Sequence, residues 1–167
     1  MIEIKETDII AAVETGGHKA FLELFFEEYR KVFADGYTAE AMQSLSFDQH
    51  VVHAYDLLIR ELDEEGFVGM AQNGYTPYFF GNPFARKFKE FDLVKTGKLM
   101  YKAQDIYEAN KKDLERDKDE EEFVASFEKY EAFDPIEEEI LELQDSEMEK
   151  LASYVDEHIE DFAHIIK

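Results

Sequence analysis

A chain of 167 residues with 45% apolar and 14% aromatic content can bury one sizeable core and is far from a disordered composition. Forty Asp and Glu against eighteen Lys and Arg leave a formal charge of −22, a field that repels nucleic acid and anionic membrane and attracts basic partners. Zero cysteine excludes disulfides and thiolate chemistry, and the absence of a long apolar run excludes a spanning helix.

The N-terminal MIEIKETD is polar and acidic, unlike a secretory signal, so a soluble cytoplasmic protein is expected. Phe21, Leu22, Phe25, Phe26, Tyr29, Val32 and Phe33 recur at helical spacing, and Asp35-Gly36 supplies a stop. Ser46-Phe47-Asp48-Gln49 reads as a capping box, followed by an apolar stripe through Phe47, Val51, Ala54, Tyr55, Leu58 and Leu62. Glu64, Glu65 and Gly66 end that helix.

The stretch GFVGMAQNGYTPYFFGNP (66–83) is rich in glycine, proline and aromatic residues. Phe67 to Ala71 are expected to form a short buried helix, with Asn73-Gly74 offering a left-handed C-cap. Thr76-Pro77 is expected to stay extended, Tyr78 to Phe80 to pack inward, and Asn82-Pro83 to act as N-cap and first helical residue. Helices are expected over roughly 83–91, with Phe84 and Phe88 inward, and 93–112, through Leu99, Met100, Ala103 and Tyr107. Asp113–Glu122 is a charge run, read as a solvated loop or helix start. Phe123, Phe127 and Tyr130 mark a further helix, and Asp134-Pro135 opens another. Ser146-Glu147-Met148-Glu149 reads as a second capping box for a last helix burying Met148, Leu151, Val155, Ile159 and Phe162. No segment needs a sheet, so a single all-α domain of about seven to nine irregular helices is expected over 1–167.

Charge is uneven. Residues 105–167 hold 23 acids and 7 bases, whereas residues 1–104 hold 17 acids and 11 bases. Glu137, Glu138 and Glu142, then Glu149, Asp156, Glu157, Glu160 and Asp161, form the candidate acidic interaction surface. Carboxylates three or four residues apart on a helix lie about 5–6 Å apart. Duplex DNA carries one charge per about 1.7 Å of axis. Several such helices can therefore imitate a phosphate lattice, while ordinary solvation of an acidic surface is the plainer alternative.

No catalytic constellation, cofactor site or metal site emerges. His50, His53 and Asp56 are spaced so that a metal site could be built, but HExxH is absent. His158 and His164 are six apart and face different directions. Asp113, Asp117 and Asp119 lack the glycine of a calcium loop. The glycines fit neither GxGxxG nor a P-loop, and no GxSxG elbow is present.

From Leu45-Ser46 through Ile106-Tyr107 the chain resembles the acidic helical family typified by a bacterial DNA-mimic protein (DMP-type), a domain-of-unknown-function family. The resemblance is carried by Ser46, Gly66-Phe67, Asn73-Gly74 and Asn82-Pro83-Phe84. It continues through Tyr130–Asp134 to the Tyr154–Phe162 helix. Residues 45–162 would be the family-like core, with 1–44 a helical extension packed on it. Members usually show two glycines before that phenylalanine, where Glu65 stands here first, and often glutamine where Gly69 stands. The resemblance implies a non-enzymatic module that presents carboxylates like phosphates to a basic DNA-binding protein, such as a transcription factor or nucleoid protein, and a homodimer. Two alternatives remain: a small-molecule or metal site at the 66–84 turn with His50, His53 and Asp56, or an immunity- or chaperone-like partner whose acidity serves solubility.

Overall fold

The Ser46 hydroxyl accepts the Gln49 N–H at 3.2 Å, and the Gln49 side-chain oxygen accepts the Ser46 N–H at 2.9 Å. This reciprocal capping box starts α3 (Phe47–Glu64) where the sequence places it. In the computed structural model, which describes all 167 residues, α3 is the central helix. Thirteen of its 18 residues are buried, so it is covered nearly all round, as a core helix must be.

Before it come β1 (Glu3–Lys5), α1 (Glu6–Val32), kinked at Gly17, and α2 (Ala39–Ser44). After it follow α4 (Gly66–Gln72), α5 (Thr76–Phe80), α6 (Phe84–Glu90), α7 (Val94–Glu115) and α8 (Glu120–Lys129). A 3-10 turn (Glu131–Phe133) leads into α9 (Asp134–Glu142), α10 (Gln144–Glu157), α11 (Ile159–Phe162) and β2 (His164–Ile166). The architecture is all-α, with only a three-residue parallel pair of strands, in which Ile4 faces Ile165. That pair joins the two ends of the chain. The buried Tyr29 hydroxyl donates to the Phe162 carbonyl at 2.7 Å, tying α1 to the same C-terminal segment.

Stacked and tilted rings knit the helices into one apolar core. Phe67 packs on Phe80 and Phe133, Phe84 on Phe47 and Tyr78, and Phe91 on Tyr154. Gly74 (φ +81) closes α4 in a Schellman arrangement: its N–H reaches the Ala71 carbonyl and that of Tyr75 the Met70 carbonyl, both at 3.1 Å. Asp92 (φ +68) closes α6 in the same way, with Leu93 donating to Phe88 at 2.8 Å.

Four local expectations are corrected. Thr76-Pro77 is helical, because proline in the first turn needs no N–H partner and its fixed φ suits the helix. Asn82 is not an N-cap: its amide donates backwards to the Tyr78 carbonyl at 2.8 Å, and Pro83 precedes a helix beginning at Phe84. Ser146 lies inside α10, donating to the Leu143 carbonyl at 3.2 Å, so the second capping box does not form. The last helix breaks at His158 (φ −124, ψ 32), whose ring stacks on Tyr154 and bonds its carbonyl at 2.9 Å.

Candidate interaction surface

The candidate acidic surface is delivered by three consecutive helices held down by apolar anchors. Ile136 and Ile140 fix α9; Met148, Leu151 and Val155 fix α10; Phe162 fixes α11. Each anchor repeats at helical spacing, which turns the intervening carboxylates outward. Glu138 and Glu142, one turn apart on α9, are exposed, as are Glu149, Asp156 and Glu157 on α10 and Glu160 and Asp161 on α11. None of these seven forms an ion pair. The one base on α9 to α11, Lys150, lies in a hollow with Glu149 and Glu157 without forming an ion pair, and several bases from the rest of the chain are engaged elsewhere. Arg30 and Arg60 hold Asp56, Arg116 and Lys129 hold Asp113, and Lys19 pairs with Asp145.

Glu137 does not belong to this surface. It is half-buried, lies against Gly66 and faces the Phe67 N–H, so it serves the start of α4. Burial pushes its carboxyl up to about 7. Glu147 is buried too, its carboxyl raised by burial, and it faces Thr96 in the first turn of α7. Two acids of the C-terminal third are thus structural. Sequence reasoning missed both because helical spacing alone does not show which neighbouring helix start lies opposite. The break at His158 also separates Glu160 and Asp161 from the face of α10, so the five acids of the expected last helix do not form one row. Glu149 and Asp156 line a hollow against α1, while Glu160 lines a groove with Glu6.

The histidines of the 66–84 alternative do not converge with Asn73 on a cleft. His50 bonds the Met42 carbonyl at 2.8 Å and the Tyr78 hydroxyl at 2.9 Å; His53 bonds the Tyr37 hydroxyl at 2.7 Å. Both rings are buried in a nest with Phe33, Tyr37 and Tyr78, and burial drives the His53 pKa down to about 3, leaving it neutral. Asp56 turns the other way, accepting from Arg30 at 2.6 and 2.8 Å and from Arg60 at 3.0 Å. Asn73 donates to Glu61 at 3.0 Å. No group of three or more His, Asp or Glu side chains is placed to hold a metal ion.

The signature residues instead define the fold around α4. Gly66 admits the Glu137 carboxylate, Phe67 fills the core, Gly74 caps the helix and Phe84 packs beneath α3. The two departures noted above meet in space: a side chain at Gly69 would begin against the Cβ of Glu65.

Fold and surface together define an all-helical protein whose last three helices carry seven exposed carboxylates outside any ion pair. The chain belongs to the DMP19-like protein family, whose model matches residues 43–158. It is similar to "DNA mimic protein DMP19" of Neisseria meningitidis serogroup B, with 30% identity over 127 residues, covering 75% of this chain and 77% of the relative. The matched region includes α3 to α10, the helices that carry the signature and much of the acidic surface.

Proposed function

We propose that this protein is a non-enzymatic acidic binding module that occupies the DNA-binding face of a basic protein, a transcription factor or nucleoid protein, in place of DNA. The observation that carries the reading is the set of seven exposed carboxylates on α9 to α11, none in an ion pair and with Lys150 the one base on those helices. Kinship with a protein named as a DNA mimic supports it. Unpaired surface acids cost stability through mutual repulsion, which favours a use for the field they create. The reading places the protein in the cytoplasm with its partner, acting singly or as a homodimer, with no direct contact to nucleic acid or membrane.

Capture of basic proteins from a bacterial extract at low salt, followed by elution with salt and with duplex DNA, tests it. The expected result is a DNA-binding protein displaced by both, because DNA and the module compete for one surface. Charge reversal of Glu138, Glu142, Glu157 and Asp161 to Lys should abolish capture. Capture of no DNA-binding protein, or capture indifferent to DNA competition and charge reversal, overturns the proposal.

A further inference from the structure

A groove lies where the ends of the chain meet. It has a volume of about 850 Å³ and runs between the first turns of α1 and the α11–β2 segment, floored by Ile9, Ile10, Ile159 and Ile165. A second hollow of about 420 Å³ lies further along α1, lined by Val13, between α1 and α10. Ile10 and Val13 are three residues apart on one helix, so they present a single stripe along both hollows. They are 52% and 51% exposed, an unusual loss for branched apolar side chains that nothing in the chain covers.

The stripe is flanked mainly by carboxylates, against the single α-amino group of Met1. Glu6 and Glu160 line the first hollow and Glu149 and Asp156 the second; no Lys or Arg lines either, and none of the four is ion-paired. Residues 1–10 and 159–165, the two walls of the first hollow, also fall outside the region matched by the family.

We infer that this groove docks an amphipathic helix bearing Lys or Arg beside an apolar face, presented by the basic partner. An apolar floor between carboxylate flanks is complementary to such a helix and to few other segments. A second copy of the chain fits poorly, since it would set these four acids against their own kind across the stripe. The inference rests on the basic partner proposed above but not on phosphate mimicry. It adds an apolar contact that salt does not screen, and so assigns the partner two determinants, a charge-dependent one in the carboxylates of α9 to α11, three of which flank the groove, and a salt-resistant one in its apolar floor.

A fluorescein-labelled 18-residue helical peptide, with leucine and isoleucine on one face and lysine and arginine flanking it, is titrated by anisotropy into the full chain at high salt. A scrambled peptide of the same composition is the control. The expected result is binding of the patterned peptide, at least tenfold weaker for the scrambled one and at least tenfold weaker for the I10S/V13S variant. The E138K/E142K variant, on α9, should bind within about twofold of the parent. Equal binding of the scrambled peptide, or an I10S/V13S variant that binds like the parent, overturns the inference. So does a concentration-dependent dimer in sedimentation that the I10S/V13S variant loses, because the groove would then belong to a second copy. Failure of the peptide with DNA-competable capture intact removes the groove and leaves the mimicry reading standing; the converse removes mimicry alone.

Discussion

Glu137 of α9 lies directly against Gly66, its carboxylate filling the space where a side chain at that position would begin. Gly66 itself holds φ +68, in the left-handed region, between the end of α3 and the start of α4. Two independent reasons therefore demand glycine there: the backbone conformation and the room taken by the carboxylate. Gly66→Ala should destabilise the protein by about 2–4 kcal/mol, combining left-handed strain with displacement of Glu137. Urea denaturation with an unchanged slope would measure it, and a loss below about 0.5 kcal/mol would contradict the arrangement.

The same pair sets a pH dependence. Burial raises the Glu137 carboxyl from the ordinary glutamate value to about 7. Between the unfolded value and about 7 the folded state holds a proton that the unfolded chain has lost. The contribution is thus fully present at low pH and disappears as pH rises through about 7. Allowing for the solvent that still reaches the carboxylate, the loss is about 1–2 kcal/mol. Glu137→Gln keeps the shape without the titration, so it should flatten this part of the stability profile and match or exceed the parent at pH 8. A variant that keeps the parent's slope between pH 5 and 8 would show that other carboxyls set it.

Asp56 is the one acid held by two arginines, and it is 3% exposed. It links α1 to α3 through the bidentate contact with Arg30. Removing one member of a buried pair leaves the other charge poorly compensated, so Asp56→Ala should cost about 3 kcal/mol. Glu23, at 2.6 Å from Arg30, remains to hold the guanidinium and limits the loss. Chemical denaturation of D56A, R30A and the double variant would show strong non-additivity if the pair acts as a unit.

Much of this was legible in the residues. Helical spacing located α3, α7, α9 and α10 because each is long or strongly amphipathic, and the Ser46–Gln49 box marked the start of α3 to the residue. Two of the misreadings share one cause, short-range signals with two outcomes. Proline at 77 permits either an extended segment or a first helical turn, and the burial of Tyr78, Phe79 and Phe80 chose the latter. Asn82 can cap forwards or backwards, and the free Tyr78 carbonyl at the end of α5 drew it back. The strand pair joining Ile4 to Ile165 depends on residues more than 150 positions apart, which no local pattern reveals. The acidic surface was visible as composition, but the removal of Glu137 and the break at His158 follow only from packing.

Glu65 and Gly69 show how a departure at one position constrains another. Glu65 stands just before α4 with its Cβ where a side chain at Gly69 would begin, one turn along the helix. A residue with a Cβ at 69 must therefore push Glu65 aside, whereas glycine at 65 would leave that space open. Gly69 has ordinary helical geometry, so a side chain there costs nothing through backbone strain and should favour the helix by about 1 kcal/mol. The steric conflict and the helix preference oppose each other, and only their separation is informative. Gly69→Gln alone is expected to be destabilising, and Glu65→Gly alone mildly so through added chain entropy. The two together should be more stable than the sum predicts, with a coupling of about 1–2 kcal/mol. A double-mutant cycle in urea measures that coupling directly. Strict additivity would mean that the backbone around residue 65 shifts without cost and that the two positions vary independently.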